Sequence, residues 1–152
     1  MEIQTPPRFI ADCHLGKLAK YLRVMGFDTL YFNTIDDNEL IELASSEGRT
    51  ILTRDRALHE REKAPTFYLE AVDNLEQLKA LQEHFLIKSH NLAARCIICN
   101  AKLQSIEKNR VEDKIPHKVK LYFSEFEICP ICNRIYWHGD HYKRMMNTID
   151  TI

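Results

Sequence analysis

Four of the chain's five cysteines fall into two pairs, Cys96-Ile97-Ile98-Cys99 and Cys129-Pro130-Ile131-Cys132, with 29 residues between the pairs. A Cys-x-x-Cys turn can aim both sulfurs at one ion. Two such turns complete a tetrahedral four-thiolate site of the kind Zn2+ accepts without strain. Soft thiolate donors suit zinc or iron, and availability favours zinc. Four protein ligands leave no position for water or substrate, so the expected role of this zinc is structural. Asn100 and Asn133 each follow the second cysteine of a pair, where a small polar residue tolerates the left-handed backbone that ends such a turn. Two disulfides or four buried thiols are the alternatives, and the paired spacing fits them poorly.

Asp12, Asp37 and Asp55 form a second constellation, this one of oxygen donors. Asp12 and Asp55 follow short apolar runs. If those runs are strands of one parallel sheet, both acids reach the same edge, where ligands bind at a change of strand order. Asp37 begins a helix expected on that edge. Uncompensated carboxylates repel, so three of them gathered together suit a hard divalent cation, Mg2+ or Mn2+. Such an ion can activate water and stabilise a phosphoryl-transfer transition state. Plainer roles stay open: Asp36 or Asp37 as a helix cap (Asp36 has Glu39 at capping-box spacing), Asp55 as a cap of the segment after it, Asp12 as a loop acid. Lys17, Lys20 and Arg23 recur at i, i+3 and i+6, and Arg54 and Arg56 flank Asp55. Lys17, Arg23 and Arg54 are thus candidate contacts for a phosphate backbone, against a solvated helix face for the lysines. Tyr136, Trp137 and Tyr142 either stack on bases or cover the small core of the cysteine module.

The elements that must position these residues are legible in the hydrophobic pattern. Residues 8–12 read as a strand. Leu15, Leu18, Ala19, Leu22 and Met25 have helical spacing, with Gly26 placed to end the helix. Residues 29–32 are a second strand. A helix from Asp36-Asp37 presents Leu40, Ile41, Leu43 and Ala44 and stops at Gly48. Thr50-Ile51-Leu52-Thr53 lacks polar alternation, as a strand buried on both faces does. A short charged helix is expected near 56–63, a strand at 66–69 and a helix from a capping box at Asp73 to about Leu86. Strand–helix alternation of this kind predicts a parallel α/β sheet with right-handed crossovers. Residues 88–95 read as a linker, residues 135–139 as a strand and turn, and residues 141–149 as a short terminal helix.

The chain has 152 residues, 45% hydrophobic and 28% charged, with a formal charge of −1. That composition excludes disordered and fibrous classes, and the near-neutral total argues against a generic polyanion binder. The charge is divided: residues 1–88 hold 11 basic and 15 acidic side chains, residues 89–152 hold 10 and 7. Two modules are expected, 1–88 and 89–152. Four thiolates on one Zn2+ leave −2, so the loaded second module is nearer +1 than +3. No apolar run spans a membrane, and the opening Met-Glu-Ile-Gln-Thr-Pro-Pro is unlike a signal peptide. A cytoplasmic setting with reduced thiols is expected.

The segment from Asp12-Cys-His-Leu-Gly-Lys to Val-Met-Gly-Phe-Asp28 resembles the opening of the Mut-seven carboxy-terminal ribonuclease family. Asp37-Asn-Glu-Leu-Ile-Glu-Leu-Ala44 and Glu47-Gly-Arg-Thr-Ile-Leu-Thr-Arg-Asp55 are similar to its next two blocks. Arg95-Cys-Ile-Ile-Cys-Asn100 and Cys129-Pro-Ile-Cys-Asn-Arg-Ile-Tyr-Trp-His-Gly-Asp-His141 look like its appended zinc ribbon. The resemblance covers roughly residues 8–150. It implies a PIN-like three-layer α/β/α sandwich with a parallel sheet, a C-terminal zinc ribbon, and metal-dependent cleavage of RNA. Carried over position by position, the catalytic acids are Asp12, Asp37 and Asp55, with Asp37 rather than Asp36 in the family position. Thr53 falls in the family's Thr-Arg-Asp block, where it would orient metal-bound water as part of the substrate site. Glu70 or Asp73 is placed to supply a fourth acid, though neither matches a motif. His14 departs from the family's usual apolar residue, next to Cys13; it either tunes the site or substitutes neutrally.

The leading expectation is therefore a Mg2+- or Mn2+-dependent ribonuclease whose ribbon assists RNA or partner binding. A non-catalytic RNA- or ribosome-associated module is one alternative. The toxin of a toxin–antitoxin pair, with an antitoxin plugging the acidic cleft, is another.

Overall fold

A computed structural model describes residues 5–152; residues 1–4, part of the opening stretch read against a signal peptide, lie outside them. Four parallel strands, β1 (Phe9–Ala11), β2 (Thr29–Tyr31), β3 (Thr50–Thr53) and β4 (Thr66–Tyr68), form one sheet in the order β2-β1-β3-β4. The strands alternate with helices α1 (Gly16–Val24), α2 (Asp37–Glu47) and α3 (Arg56–Glu60), and α4 (Asn74–Phe85) follows β4. The period-two exposure of strand side chains divides the core. Phe9, Ala11 and Leu52 pack with Leu18, Leu22, Leu78 and Leu81 of α1 and α4. Ile10 and Ile51 pack with Leu40, Ala44 and Leu58 of α2 and α3. Helices thus cover both faces of the sheet, the condition under which parallel strands read as unbroken apolar runs.

The strand order places a topological switch between β1 and β3. The chain leaves β1 through α1 on one face and reaches β3 through α2 on the other. A crevice opens there at the C-terminal ends of the two strands.

The expected linker is packed chain. A 3-10 turn spans Ile87–His90, with Ile87 buried in the α1/α4 core and Leu92 against it. Gly26, at φ +95°, lets this segment cross the end of α1. A Cβ there would lie 2.4 Å from Leu92 Cβ and 2.5 Å from the Ala93 carbonyl.

The second module is a three-stranded antiparallel sheet, β5 (Gln104–Ile106), β6 (Phe126–Ile128) and β7 (Ile135–Tyr136), in that order. Between β5 and β6 the chain forms two 3-10 turns and helix α5 (His117–Tyr122). Val111, Ile115 and Phe126 form the module's small core, partly covered by Trp137. Helix α6 (Asp140–Asp150) closes the chain and touches α4. Among the described residues no helix is long and apolar enough to cross a membrane.

Candidate active site and metal centre

Asp12 leaves the end of β1, its own amide donating to the Leu52 carbonyl of β3 at 3.0 Å. Its carboxylate is held from two sides: Oδ1 accepts the Cys13 amide at 2.6 Å, and Oδ2 accepts the Thr53 hydroxyl at 2.9 Å. The same Thr53 oxygen accepts the Asp55 amide at 2.9 Å. Thr53 is fully buried, on the last residue of β3. One hydroxyl therefore ties the acids from β1 and β3 into one unit across the switch point. Its single proton goes to Asp12, so it cannot also be donated to a water, as the resemblance implied; its geometry is that of a positioning group.

Asp55 caps α3, Oδ1 accepting the amides of Ala57 and Leu58 at 2.9 and 3.3 Å. Its Oδ2 takes no hydrogen bond among the described residues. The plainer role weighed for Asp55 is thus real, yet it uses one oxygen and leaves the other available. Asp36 is the N-cap of α2, accepting the Glu39 amide at 2.9 Å. Asp37, the first residue of that helix, is spared capping; its exposed carboxylate lies 3.9 Å from Arg61 Nη1. The three acids do not gather at mutual ligating distance. Among the described residues the cysteines are the one group of three or more such ligand atoms within 4.8 Å of one another.

Of the expected phosphate contacts, Lys17 is exposed on α1, and Arg54 is exposed, its Nη2 3.5 Å from the Glu70 carbonyl. Arg23 is a correction. It is only 6% exposed, with Nε donating to the Thr29 carbonyl at 2.9 Å and Nη1 to the Ile97 carbonyl at 2.8 Å. A guanidinium spent on backbone carbonyls is not offered to a phosphate. Burial lowers its pKa, opposed by the negative charge of Cys96 and Cys99 beside it. Of the possible fourth acids, Asp73 caps α4 through the Glu76 amide, and Glu70 is exposed beyond β4. Cys13 is half-buried beside Asp12, where burial and that carboxylate raise its thiol pKa; His14 is exposed.

The two cysteine turns repeat one geometry. Asn100 and Asn133 have φ of 66° and 62° and donate their amides to the carbonyls of Cys96 and Cys129, each at 2.9 Å. The amides of Cys99 and Cys132 point at the first sulfur of their pair, at 3.3 and 3.5 Å. Cys96 and Cys132 Sγ lie 3.7 Å apart. Zn–S bonds of about 2.3 Å in a tetrahedron separate sulfurs by about 3.8 Å, so the quartet could hold a metal such as zinc. Burial pushes the Cys96 thiol up, but the Tyr136 hydroxyl at 3.0 Å and the turn amides outweigh it and bring it to about 7. Cys99 is pushed up to about 12 by its hydrogen bond to Cys132, by burial and by the neighbouring thiols. Four thiolates cannot coexist there without a cation among them.

The cysteine module is joined to the sheet by buried polar contacts. Asn100 Oδ1 accepts the Thr29 amide at 3.0 Å, and its Nδ2 donates to Asp28 at 2.7 Å. Arg49, buried, donates to Asp28 at 2.8 Å, and Arg8 approaches the other oxygen at 3.3 Å. Burial raises the Asp28 pKa, but Arg49 and Asn100 prevail and hold it at about 2. No sequence signal marked Asp28 or Asn100 as the joint between the modules.

The family model described as the Mut7-C RNAse domain matches residues 7–149. Neither a curated protein nor a solved structure matches the chain. The match runs from the first strand through both cysteine pairs into α6, and the chain belongs to the Mut7-C RNAse domain family.

Proposed function

We propose that the chain is a Mg2+- or Mn2+-dependent ribonuclease, PIN-like in fold, acting at the edge between β1 and β3. Family membership supports ribonuclease-type chemistry. The observation that carries the rest is the buried Thr53 hydroxyl, which locks Asp12 to the backbone of Asp55 at the switch point. Buried polar ties of this kind are costly to leave incomplete and fix geometry where they are complete.

The donor set fits a hard cation: carboxylate oxygens from three segments, with the Asp55 Oδ2 and Asp37 oxygens uncommitted to hydrogen bonds. A divalent ion there would supply Lewis acidity, activating water at neutral pH and neutralising a phosphoryl oxygen. Asp12, Asp37 and Asp55 hold that charge in place. Thr53 fixes the Asp12 rotamer, and Lys17 and Arg54 hold flanking phosphates. Residues 89–152 serve as a zinc-stabilised module that assists RNA or partner binding, in a reducing cytoplasmic setting that protects its cysteines from disulfide formation.

The test is cleavage of labelled single-stranded RNA with Mn2+ by the zinc-loaded chain. Asp12→Asn and Asp55→Asn should abolish it while zinc content and far-UV dichroism stay unchanged. Undiminished cleavage by the double variant would refute the assignment. The spread of the three acids favours one rival, a non-catalytic RNA-binding module. It predicts salt-dependent RNA binding without turnover under the same conditions.

A further inference from the structure

The ribbon carries a cavity of about 400 Å³ at its junction with α1, within the usual size range of small-molecule sites. Val24, Ile97, Tyr136, Trp137, His138 and Tyr142 are among the residues of its wall. His138 and Tyr142 are stacked, centroids 4.0 Å apart and planes within 7°. Trp137 lies over Gly139, where an added Cβ would meet the indole Nε1 at 2.8 Å. Four charged residues line this otherwise largely apolar space: Arg95, committed to the Gly26 and Asn100 carbonyls, Asp140, exposed at the start of α6, and Glu127 and Arg134. Glu127 is half-buried, and Arg134 is exposed at the margin. Neither side chain makes an ion pair or hydrogen bond among the described residues.

The cavity stands at the far end of α1 from Asp12. On that helix Lys17, Lys20 and Val24 recur at i, i+3 and i+7, on one face opposite the apolar stripe. Lys17 and Lys20 are exposed and have no ion pair among the described residues. A path of positive charge therefore leads from the acid edge along about 13 Å of helix, at 1.5 Å per residue, to an aromatic cleft. Flat rings to stack on, cations spaced along an approach and a half-buried carboxylate in the lining describe a particular ligand. It is planar and aromatic, offers N–H donors on its edge, and is attached to a polyanionic backbone.

We infer that the cleft between Trp137 and Tyr142 binds a nucleobase of single-stranded RNA whose backbone runs along α1, and that Glu127 selects bases bearing an exocyclic amine. The inference rests on reading the chain as an RNA-acting protein. Cytosine, adenine and guanine present an amine to the carboxylate. Uracil presents carbonyl oxygens on either side of its one N–H, and those oxygens repel it.

Trp137 is the one tryptophan of the chain, so its emission reports on the cleft directly. The zinc-loaded full chain, without added Mg2+ or Mn2+, is titrated with CMP, AMP, UMP, inorganic phosphate and single-stranded oligocytidylate and oligouridylate. Saturable quenching by oligocytidylate is expected, with oligouridylate at least tenfold weaker, as loss of a charge-assisted hydrogen bond implies. Tyr142→Ala should weaken oligocytidylate binding by about tenfold to a hundredfold, the range for removal of one stacking ring. Glu127→Gln, a milder change, should erase the preference over uridylate. If Tyr142→Ala loses zinc or fold, the wild-type titration and Glu127→Gln decide alone. RNA binding that leaves Trp137 emission unchanged, or quenching by phosphate as strong as by oligonucleotide, overturns the inference. Cleavage with Mn2+ but no quenching defeats the cleft and spares the nuclease; quenching without cleavage does the reverse.

Discussion

The Thr53 hydroxyl gives the sharpest handle on the acid edge. Thr53→Val keeps the shape of the side chain and removes only the group that donates to Asp12 and accepts from the Asp55 amide, both at 2.9 Å. The Thr53 side chain is fully buried, so water does not take the place of its hydroxyl. A hydrogen bond to a charged group contributes about 1.5–3 kcal/mol, and an orphaned amide at a partly buried position costs about 1 more. The expected destabilisation is about 2–4 kcal/mol. For a chain of this size that is a fall in Tm on the order of 10 °C. Activity should suffer separately. A carboxylate freed from its lock is misplaced by about 1 Å, which costs on the order of a hundredfold in rate. Thr53→Ser restores the hydroxyl and loses a methyl, about 1 kcal/mol. It should therefore lose some stability and recover kcat.

Urea denaturation read by dichroism, with unchanged slope, gives the stability of the three proteins. Cleavage of labelled RNA in Mn2+ gives kcat and KM. The reasoning requires the valine variant to fall in kcat with little change in KM, and the serine variant to regain it. A valine variant that loses the expected stability yet keeps kcat within about threefold of wild type would show that Asp12 needs no lock, and the edge would lose its claim to be the reactive centre.

Further outcomes follow from the joint between the modules. Arg23→Ala should destabilise by about 3 kcal/mol by orphaning buried carbonyls, without altering the salt dependence of RNA binding; a reduced salt slope in filter binding would restore Arg23 to the phosphate contacts. Asp28 has its carboxyl depressed to about 2 from an ordinary 3.8, so its contribution of about 2 kcal/mol is present above pH 4 and disappears as pH falls toward 2. Asp28→Asn should flatten that acid limb in urea melts at stepped pH. Gly26→Ala forces a side chain into positive φ and into the Leu92 backbone, and should cost several kcal/mol in the same melts, more than strain of about 1–3 kcal/mol alone. Chelating the metal should speed hydrogen exchange at Thr29, whose amide rests on Asn100, ahead of the buried amide of Leu52; equal protection with and without metal would mean that the joint stands unaided.

Local patterns were readable because their causes are local. The spacing of Leu15, Leu18, Ala19 and Leu22 gave α1, and capping chemistry gave the starts of α2 and α4 at Asp36 and Asp73, close to the observed ends. Asn100 and Asn133 were read as left-handed from residue type and position alone, and both are. Arg23 was misread for a geometric reason. At 100° per residue it falls on the flank of the apolar stripe, not opposite it as Lys17 and Lys20 do. A flank is buried or exposed according to what arrives from elsewhere, and what arrives is the turn at Ile97, 74 residues later. Helix α5 was invisible because His117–Tyr122 is too short and too polar to show a period. The convergence of Asp12 and Asp55 could be argued from parallel strands, whereas the Thr53 tie between them depends on register and rotamer, which composition does not encode.

The position of the cysteine module explains why so many polar groups are buried at its base. Asp28, Thr29 and Arg49 lie at the N-terminal ends of the strands, and Asp12 and Asp55 lie at the C-terminal ends. The cysteine quartet is therefore seated on the edge opposite the acids, where it cannot supply a ligand to them. Its influence has to pass through the scaffold. Arg23 donates to Thr29 on the sheet and to Ile97 in the cysteine turn, and Asn100 accepts from Thr29 and donates to Asp28. Both side chains reach their partners only if the cysteine turn keeps its shape. Buried polar groups are expensive when half satisfied, so the sheet edge and the cysteine turn stabilise one another or fail together. An apolar joint would have held the modules with less precision in register. This one fixes where the ribbon's aromatic cleft stands relative to α1, and hence to the acids at that helix's other end.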